Sequence, residues 1–457
     1  MSREEISNDG FLERQFKLKE NNTNVRTEVL AGITTFMTMA YILAVNPGML
    51  AETGMNEGAV FTATALASFV GCAMMAFLAN YPFALSSGMG LNAFFTYTVV
   101  AGMGHTWEFA LTAVFLEGII FIVLSFFNVR EAIFNSIPMN LKKAVSVGIG
   151  LFIALIGLIN AGIVDTGKVM VDGGARLLNE GGLVITLGNL KSAPALLAII
   201  GLVITGVLLA KKVKGALFIG IIATTLIGLP MGVSQMPDGT FLKIFSAPPS
   251  IAPGFLKFEW SNIFTFDMLL VIFTFLFVDI FDTVGTLIGV SSKAKMLDEN
   301  GELPRVKQAL LADAIATTFG AMVGTSTVTT YVESASGVAE GGRTGLTALS
   351  TGVMFALALI LAPLFGMIPG SATAPVLILV GLFMMSPIKE IDLEDYTEAI
   401  PAFLTIIMMP FAYSIAEGIV FGMVSYVALK LFAGKGKEVT PVMYLLAFLF
   451  ILKNIFM

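Results

Sequence analysis

The chain has 457 residues, of which 56% are hydrophobic and 13% charged, with a formal net charge of -6 and a mean hydropathy of +0.88. A soluble domain carries about 25% charged residues, so this composition excludes an ordinary soluble enzyme, a nucleic-acid binder and a disordered chain, and leaves a polytopic membrane protein. The single cysteine, Cys72, excludes an intrachain disulfide and reads as a small packing residue in an apolar run.

Residues 1–26 are polar and charged, without the apolar core of a cleavable signal, so the chain is expected to enter the membrane through its first span. Apolar stretches then predict spans near 27–46, 59–80, 83–101, 108–128, 139–162, 194–212 and 215–234. A second set falls near 266–290, 306–324, 326–339, 344–365, 371–386, 399–415 and 416–434. This predicts an all-α fold of 14 spans in two sets of seven, followed by a tail, 435–457, whose apolar part, 441–456, is short for a span and reads as an interfacial helix. With the N-terminus inside, only Lys168, Arg176, Lys191, Lys243 and Lys257 of the 26 Lys and Arg residues fall outside. That asymmetry predicts a multi-pass cell-membrane protein with cytoplasmic N- and C-termini.

The two sets share short motifs in the same order. Ile137-Pro138, followed by Gly150-Leu151-Phe152, recurs as Ile368-Pro369, followed by Gly381-Leu382-Phe383. Leu111-Thr112-Ala113 recurs as Leu346-Thr347-Ala348, and Pro194-Ala195-x-Leu197 as Pro401-Ala402-x-Leu404. Seven spans per repeat turn the second half upside down, an arrangement typical of secondary transporters, with the substrate site near the repeat interface. The third span of each set is rich in Gly, Ser and Thr, at 84–92 and 324–337. Backbone that leaves the helix at membrane depth must line a cavity or be buried in protein. Each of these spans is therefore expected to be a short strand followed by a half-helix, with free N–H groups aimed at a ligand.

Four acids lie at membrane depth, Glu117, Asp279, Asp282 and Glu333, with no Lys or Arg at comparable depth. An acid at the bilayer centre costs about 2.5–3.5 kcal/mol on insertion scales, so such residues are functional candidates. Asp279 and Asp282, three apart, share a helix face, one suited to a substrate and the other to bracing a neighbour. Glu333 falls where the second half-helix begins. Glu117, beside Gly118, reads equally as bracing or as function. His105, the only histidine, reads as an exposed loop residue, so any coupled proton must ride on a carboxylate. One or two Phe near 94–95 are placed to stack on a flat ligand. No metal-ligand cluster, nucleophile-base pair or phosphate loop appears, so no cofactor and no enzymatic activity are expected.

The stretches Ala31-Gly32-Ile33-Thr34-Thr35-Phe36, Gly88-Met89-Gly90-Leu91-Asn92-Ala93-Phe94-Phe95, Phe277 to Thr286 (Phe-Val-Asp-Ile-Phe-Asp-Thr-Val-Gly-Thr) and Tyr331-Val332-Glu333-Ser334-Ala335-Ser336-Gly337 resemble those of the nucleobase:cation symporter-2 superfamily. More closely they resemble its adenine/guanine/hypoxanthine permease branch, over about residues 12–434. The resemblance implies seven-plus-seven inverted repeats with short strands in spans 3 and 10. It implies a core domain of 27–128 and 264–365, a gate domain of 129–235 and 366–434, and a homodimer. It implies a purine nucleobase as substrate, a proton or sodium ion as coupling ion, and elevator-like movement of the core in the lipid bilayer. Asp282, Glu333, Asn92, Phe94 and Ser334 become the substrate-binding candidates, and Asp282, Glu333 and Asp279 the proton-coupling candidates. Where uracil-type members carry a histidine four residues after the acid of span 8, this chain has Thr286, so that histidine's role does not transfer.

The residues agree with such a ligand. Guanine and hypoxanthine offer N1–H on one edge, guanine adds a 2-amino donor, and a carboxylate accepts such donors side by side. The competing expectation is a sulfate or bicarbonate transporter on the same fold. Such a site favours a basic residue and no facing acid, so Asp282 and Glu333 argue against it.

Overall fold

The computed structural model describes residues 10–126, 138–166, 168–171, 174–177, 185–235, 245–294, 296 and 303–456. Residues 1–9 of the N-terminal tail, Arg130, Ile137 and Lys243 lie outside them. The short helix α1 (Phe11–Phe16) precedes α2 (Val25–Met39), α3 (Ile42–Ala51) and α4 (Glu57–Met74), which a π-helical turn, Met75–Ala79, extends. Strand β1 (Leu85–Ser87) leads into α5 (Met89–Ala93), continued by the π-helical Phe94–Gly102, and then α6 (Trp107–Phe126). Beyond α7 (Met139–Asn160) come β2 (Val164–Thr166), β3 (Lys168–Val171), β4 (Gly174–Leu177) and β5 (Ile185–Leu187), paired antiparallel as β2 with β5 and β3 with β4. Helices α8 (Ala193–Ala210), α9 (Ala216–Gly228), α10 (Phe266–Ala294) and α11 (Val306–Val323) precede β6 (Val328–Thr330) and α12 (Ser334–Ala339). Then come α13 (Gly345–Ala358), a helical turn at Ala362–Phe365, α14 (Gly370–Met384), α15 (Tyr396–Phe411), α16 (Ile415–Phe432) and α17 (Pro441–Phe456), with short 3-10 turns between them.

Among the described residues, eight helical stretches are long and apolar enough to cross a membrane, and Ala216–Gly228 and Tyr396–Phe411 are shorter apolar helices. The protein is thus a mostly helical, multi-pass membrane fold. Polar side chains start several of these helices by accepting first-turn N–H groups: Asn24 from Thr27, Asn56 from Ala59 and Ser414 from Glu417. The expected first span is present as one apolar helical stretch, Val25–Ala51, with a turn at Ala40 and Tyr41 between α2 and α3. Two features depart from the sequence expectation. The tail before that span holds α1. The stretch between α7 and α8 contains β2 to β5, so strands are not confined to the broken segments.

The chain divides into two compact units. Unit 1 comprises Met1–Arg130, Lys212–Phe218 and Pro237–Gly366, and unit 2 Glu131–Lys211, Ile219–Met236 and Met367–Met457. In unit 1, α2 and α4 pack on α13, and α6 packs on α11. Glycines set these contacts: a Cβ on Gly32 would lie 2.6 Å from the Thr347 carbonyl, and one on Gly118 would lie 2.8 Å from Thr318 N. The buried Glu28 carboxylate of α2 joins α2 to the start of α13. It accepts the N–H groups of Arg343, Thr344 and Thr347 and the hydroxyls of Thr344 and Thr347, at 2.6–3.2 Å, an anion seated on a helix N-terminus. Asn80, at φ 51°, accepts Gly345 N–H at 2.8 Å and donates to the Phe16 carbonyl at 3.1 Å.

In unit 2, α7 crosses α14 at Gly150 and Gly381, where a Cβ on either glycine would lie within 2.6 Å of the other's carbonyl oxygen. These are the glycines of the repeated Gly-Leu-Phe motif. A second recurrence was not visible in the sequence. Thr205 of α8 lies against Gly220 of α9, and Thr405 of α15 against Gly422 of α16, each threonine donating to the carbonyl four residues before it, at 2.7 and 2.8 Å.

The two broken segments meet within unit 1. Strands β1 and β6 pair antiparallel, with Leu85 opposite Thr330, Ser86 opposite Thr329 and Ser87 opposite Val328, all buried. Gly88 N–H to Thr327 O and Tyr331 N–H to Ala84 O, both 3.0 Å, extend the ladder at its ends. Each strand also has outward-facing backbone groups, and side chains meet them. Thr317 of α11 accepts Val328 N–H at 3.2 Å and donates to Val328 O at 2.8 Å. Cys72 of α4 does the same for Leu85, at 3.3 and 3.5 Å, so it is a hydrogen-bonding partner rather than mere packing.

Cys72→Ala leaves Leu85 N–H and C=O buried and unpaired; it should lower stability by about 1–3 kcal/mol, with Cys72→Ser retaining most of it, read as melting of the detergent-solubilised protein. Away from the membrane, Asp395 caps α15, and hydrogen bonds from Lys435 first, at 2.6 Å, and then Thr397 hold its carboxyl well below the usual range. Its contribution is present above the ordinary aspartate value and lost as pH falls through the folded value. The melting difference between the parent and Asp395→Asn should therefore be largest near neutrality and shrink below about pH 4.

Candidate functional site

The strand pair positions the site. Gly88 joins β1 to α5, and a Cβ there would lie 2.5 Å from the Thr329 methyl of β6 and 3.6 Å from Asp282 Oδ2 of α10. The Asp282 carboxylate therefore lies at the start of α5, where first-turn N–H groups have no intrahelical acceptor. Among the described residues its charged neighbours are Asp279 and Glu333, both acidic. Glu333 stands at the N-cap position of α12 but makes no side-chain cap bond. Its Oε1 instead accepts the Tyr41 hydroxyl at 2.9 Å. Asp282 and Glu333 are the membrane-depth acids that keep partial exposure, while Asp279 and Glu117 are fully buried.

Geometry separates the two aspartates of α10. Thr283 Oγ1 lies 3.1 Å from Asp279 Oδ1, 3.1 Å from Asp313 Oδ1 of α11 and 2.8 Å from Thr329 Oγ1 of β6. Asp279 thus sits in a buried polar network that ties α10 and α11 to the middle of β6. Asp282, one helical turn on, faces the α5 junction. Glu117 accepts the Thr327 hydroxyl at 2.8 Å and so braces the entry to β6.

Asn92 of α5 is buried, with its Oδ1 accepting from Ser326 and its Nδ2 without a partner among the described residues. Ser334 is buried, and its Oγ accepts Ala84 N–H at 3.0 Å, joining the start of α12 to the residue before β1. Phe94 is 1% exposed and packs edge-to-face on Phe275, with centroids 4.8 Å apart. Asp282, Glu333 and Asn92 thus come together around the strand pair, whereas Ser334 and Phe94 spend their polar atom and ring on protein contacts.

Two expectations change here. The α12 half-helix does not aim its first N–H groups outward: those of Ser334, Ala335 and Ser336 bond to the carbonyls of Tyr331, Val332 and Glu333 at 2.9–3.1 Å. His105 is not a free loop residue. Its ring stacks on Phe109 with centroids 4.0 Å apart, and Nε2 lies 3.3 Å from Asp267 at the start of α10. The sequence reading passed over Tyr41, Thr283, Asp313 and Tyr331, whose hydroxyl donates to Ser87 O. Asp313 carried a usable signal, being a further acid inside an apolar helix; a tyrosine or threonine in such a helix carries none.

Known proteins match this chain along nearly its whole length. The sequence profile of the Permease family (Xan_ur_permease) matches residues 26–421. The chain belongs to this family. The permease is therefore a membrane transport protein and not an enzyme. It is 43% identical to the adenine permease AdeP of Escherichia coli, over 99% of this chain and 98% of that one. It is 45% identical to the guanine/hypoxanthine permease PbuG of Bacillus subtilis, over 97% and 99%. Among solved structures, the permease resembles the transmembrane domain of the cyanobacterial bicarbonate transporter BicA, with TM-score 0.60 and 15% identity over 87% of this chain and 96% of that one. It also resembles SLC26A9, with TM-score 0.62 and 13% identity over 93% and 67%. At such identities the likeness is one of fold.

Gly88→Ala should overpack the junction against Thr329 and lower stability by about 1–3 kcal/mol. Adding Thr329→Ser, which removes the methyl and keeps the hydroxyl facing Thr283, should restore most of the loss in the same melting assay.

Proposed function

We propose that this permease imports purine nucleobases, guanine and hypoxanthine first and adenine as the competing purine, by proton symport across the cell membrane. The observation that carries the reading is the pair of partly exposed acids, Asp282 and Glu333, with no basic side chain beside them among the described residues. Such a pair suits a neutral ligand that presents N–H donors and suits an anion poorly. A carboxylate accepts N1–H, and with guanine the 2-amino group as well. Asn92 supplies a buried amide donor for a ring acceptor or the O6 atom, and the first turn of α5 supplies backbone donors. Ser334 and Phe94 support the site by holding α12 to β1 and α5 to α10. The names of the relatives, an adenine permease and a guanine/hypoxanthine permease, agree with a purine substrate.

The same reading covers architecture. The paired strands, their matching Thr317 and Cys72 partners, the face-to-face glycines Gly150 and Gly381, and the two Thr–Gly contacts support 14 spans built as inverted repeats of seven. Residues 27–128 and 264–365 form the core domain, and 129–235 and 366–434 the gate domain. Both termini are cytoplasmic, as the distribution of Lys and Arg asks, and the molecule is a homodimer. In the cycle, Asp282, Glu333 and the network around Asp279 take up the coupling proton and the base. The acids then carry no net charge into the membrane, and the loaded core moves against the gate.

The test is radiolabelled hypoxanthine uptake in cells lacking their own purine transporters, with each unlabelled base as competitor, with and without a protonophore. Saturable uptake that guanine blocks and the protonophore abolishes is expected. Block by adenine alone moves the substrate assignment to adenine, and dependence on external sodium moves the coupling ion. Glu333→Gln should abolish uptake or leave binding uncoupled from protons; full proton-driven uptake in that variant defeats the mechanism. Transport of sulfate or bicarbonate with no purine uptake defeats the substrate assignment.

A further inference from the structure

Tyr41 occupies the turn between α2 and α3 and is 1% exposed. A buried phenol needs a hydrogen-bond partner, and this one has Glu333 Oε1 at 2.9 Å. Little on its own helix holds the Glu333 side chain: it makes no cap bond, the N–H groups of Ser334, Ala335 and Ser336 are already bonded to carbonyls of the preceding turn, and the local donor left to the carboxylate is Glu333's own N–H. Among the described residues, Tyr41 is the side chain that fixes this carboxylate.

The fold places the phenol with little freedom. Helix α2 runs against α12 at Gly337, where a Cβ would lie 2.7 Å from the Ala31 carbonyl and closer still to the Thr35 hydroxyl. One turn before the break, Thr38 Oγ1 meets Ser336 Oγ at 3.0 Å. The same helix contact thus carries two polar links. The Thr38 link ties helix to helix, and the Tyr41 link ties helix to carboxylate.

We propose that Tyr41 is a positioning residue for substrate recognition: its hydroxyl holds Glu333 Oε1, turns the carboxylate away from the α12 N-terminus and leaves Oε2 to accept the N–H edge of the base. A flexible side chain that must be ordered when ligand binds loses affinity to that ordering, and preorganisation removes the loss. The turn between α2 and α3 then has a purpose, because it brings the Tyr41 phenol to the start of α12. The proposal rests on Glu333 as a ligand group in the purine reading.

The experiment compares parent, Tyr41→Phe and Thr38→Val for melting temperature and for hypoxanthine uptake at matched membrane abundance. Tyr41→Phe should raise KM by about tenfold, the loss of one charge-assisted hydrogen bond, with a smaller change in maximal rate. Thr38→Val should lower the melting temperature and leave KM within about twofold. A KM for Tyr41→Phe equal to the parent's overturns the proposal. So does an equal rise in Thr38→Val, because helix docking and not the phenol then sets the site. Absence of purine uptake by the parent overturns the purine reading and this inference with it, whereas uptake with unaltered KM in Tyr41→Phe overturns the inference alone.

Discussion

A three-residue antiparallel ladder, Leu85–Ser87 against Val328–Thr330, is the contact on which the rest of the site depends. Extended backbone has no internal hydrogen bonds, and where it is buried, as all six of these residues are, water is not there to replace them. Two broken segments meet that demand by pairing with each other. Of their outward groups, those of Val328 fall to Thr317 and those of Leu85 to Cys72, one side chain from each flanking helix, and the Ser87 carbonyl falls to the Tyr331 hydroxyl. The arrangement leaves few alternatives: a one-residue slip would turn each strand over and misplace every group that these side chains meet.

The polar network follows from this ladder. Thr329, in the middle of β6, touches Thr283, and Thr283 touches Asp279 and Asp313. Thr327, just before β6, is held by Glu117. Three of the buried acids thus brace the ladder, and two partly exposed acids, Asp282 and Glu333, border its ends. Burying acids is expensive unless each is hydrogen-bonded; here Thr327 of the strand-prone run 325–330 bonds Glu117, and Thr283 of α10 links Asp279 and Asp313 to Thr329 of that run.

Much of this was legible in the sequence because membrane proteins are constrained so tightly. Gly, Ser and Thr clustered in apolar surroundings, at 84–92 and 324–337, marked the broken segments, and the isolated acids pointed to the candidate site. The repeated Gly-Leu-Phe motif foreshadowed the crossing at Gly150 and Gly381. What stayed hidden depends on tertiary placement. Tyr41 sits in an apolar run where a tyrosine looks like any other aromatic, and its meaning comes from a residue 292 positions away. The N–H groups of α12 looked free because the tight turn Tyr331–Glu333, which occupies them, leaves no pattern in a Ser-rich stretch. Helix α1 is too short for its periodicity to register. Strands β2 to β5 lie in a polar connection where alternation is weak.

The pairing of β1 with β6 also has a bearing on biosynthesis. When the first half of the chain has been synthesised and inserted, β1 has no ladder, because its partner is more than 200 residues further on. The nascent first half must hold this segment sheltered by its own helices, or wet, until the second half arrives. Insertion and folding are therefore separate events for this protein, and closure of the ladder is a late, long-range step of the kind that slows folding. A chain cut short before β6 would leave β1 with its backbone groups unpaired.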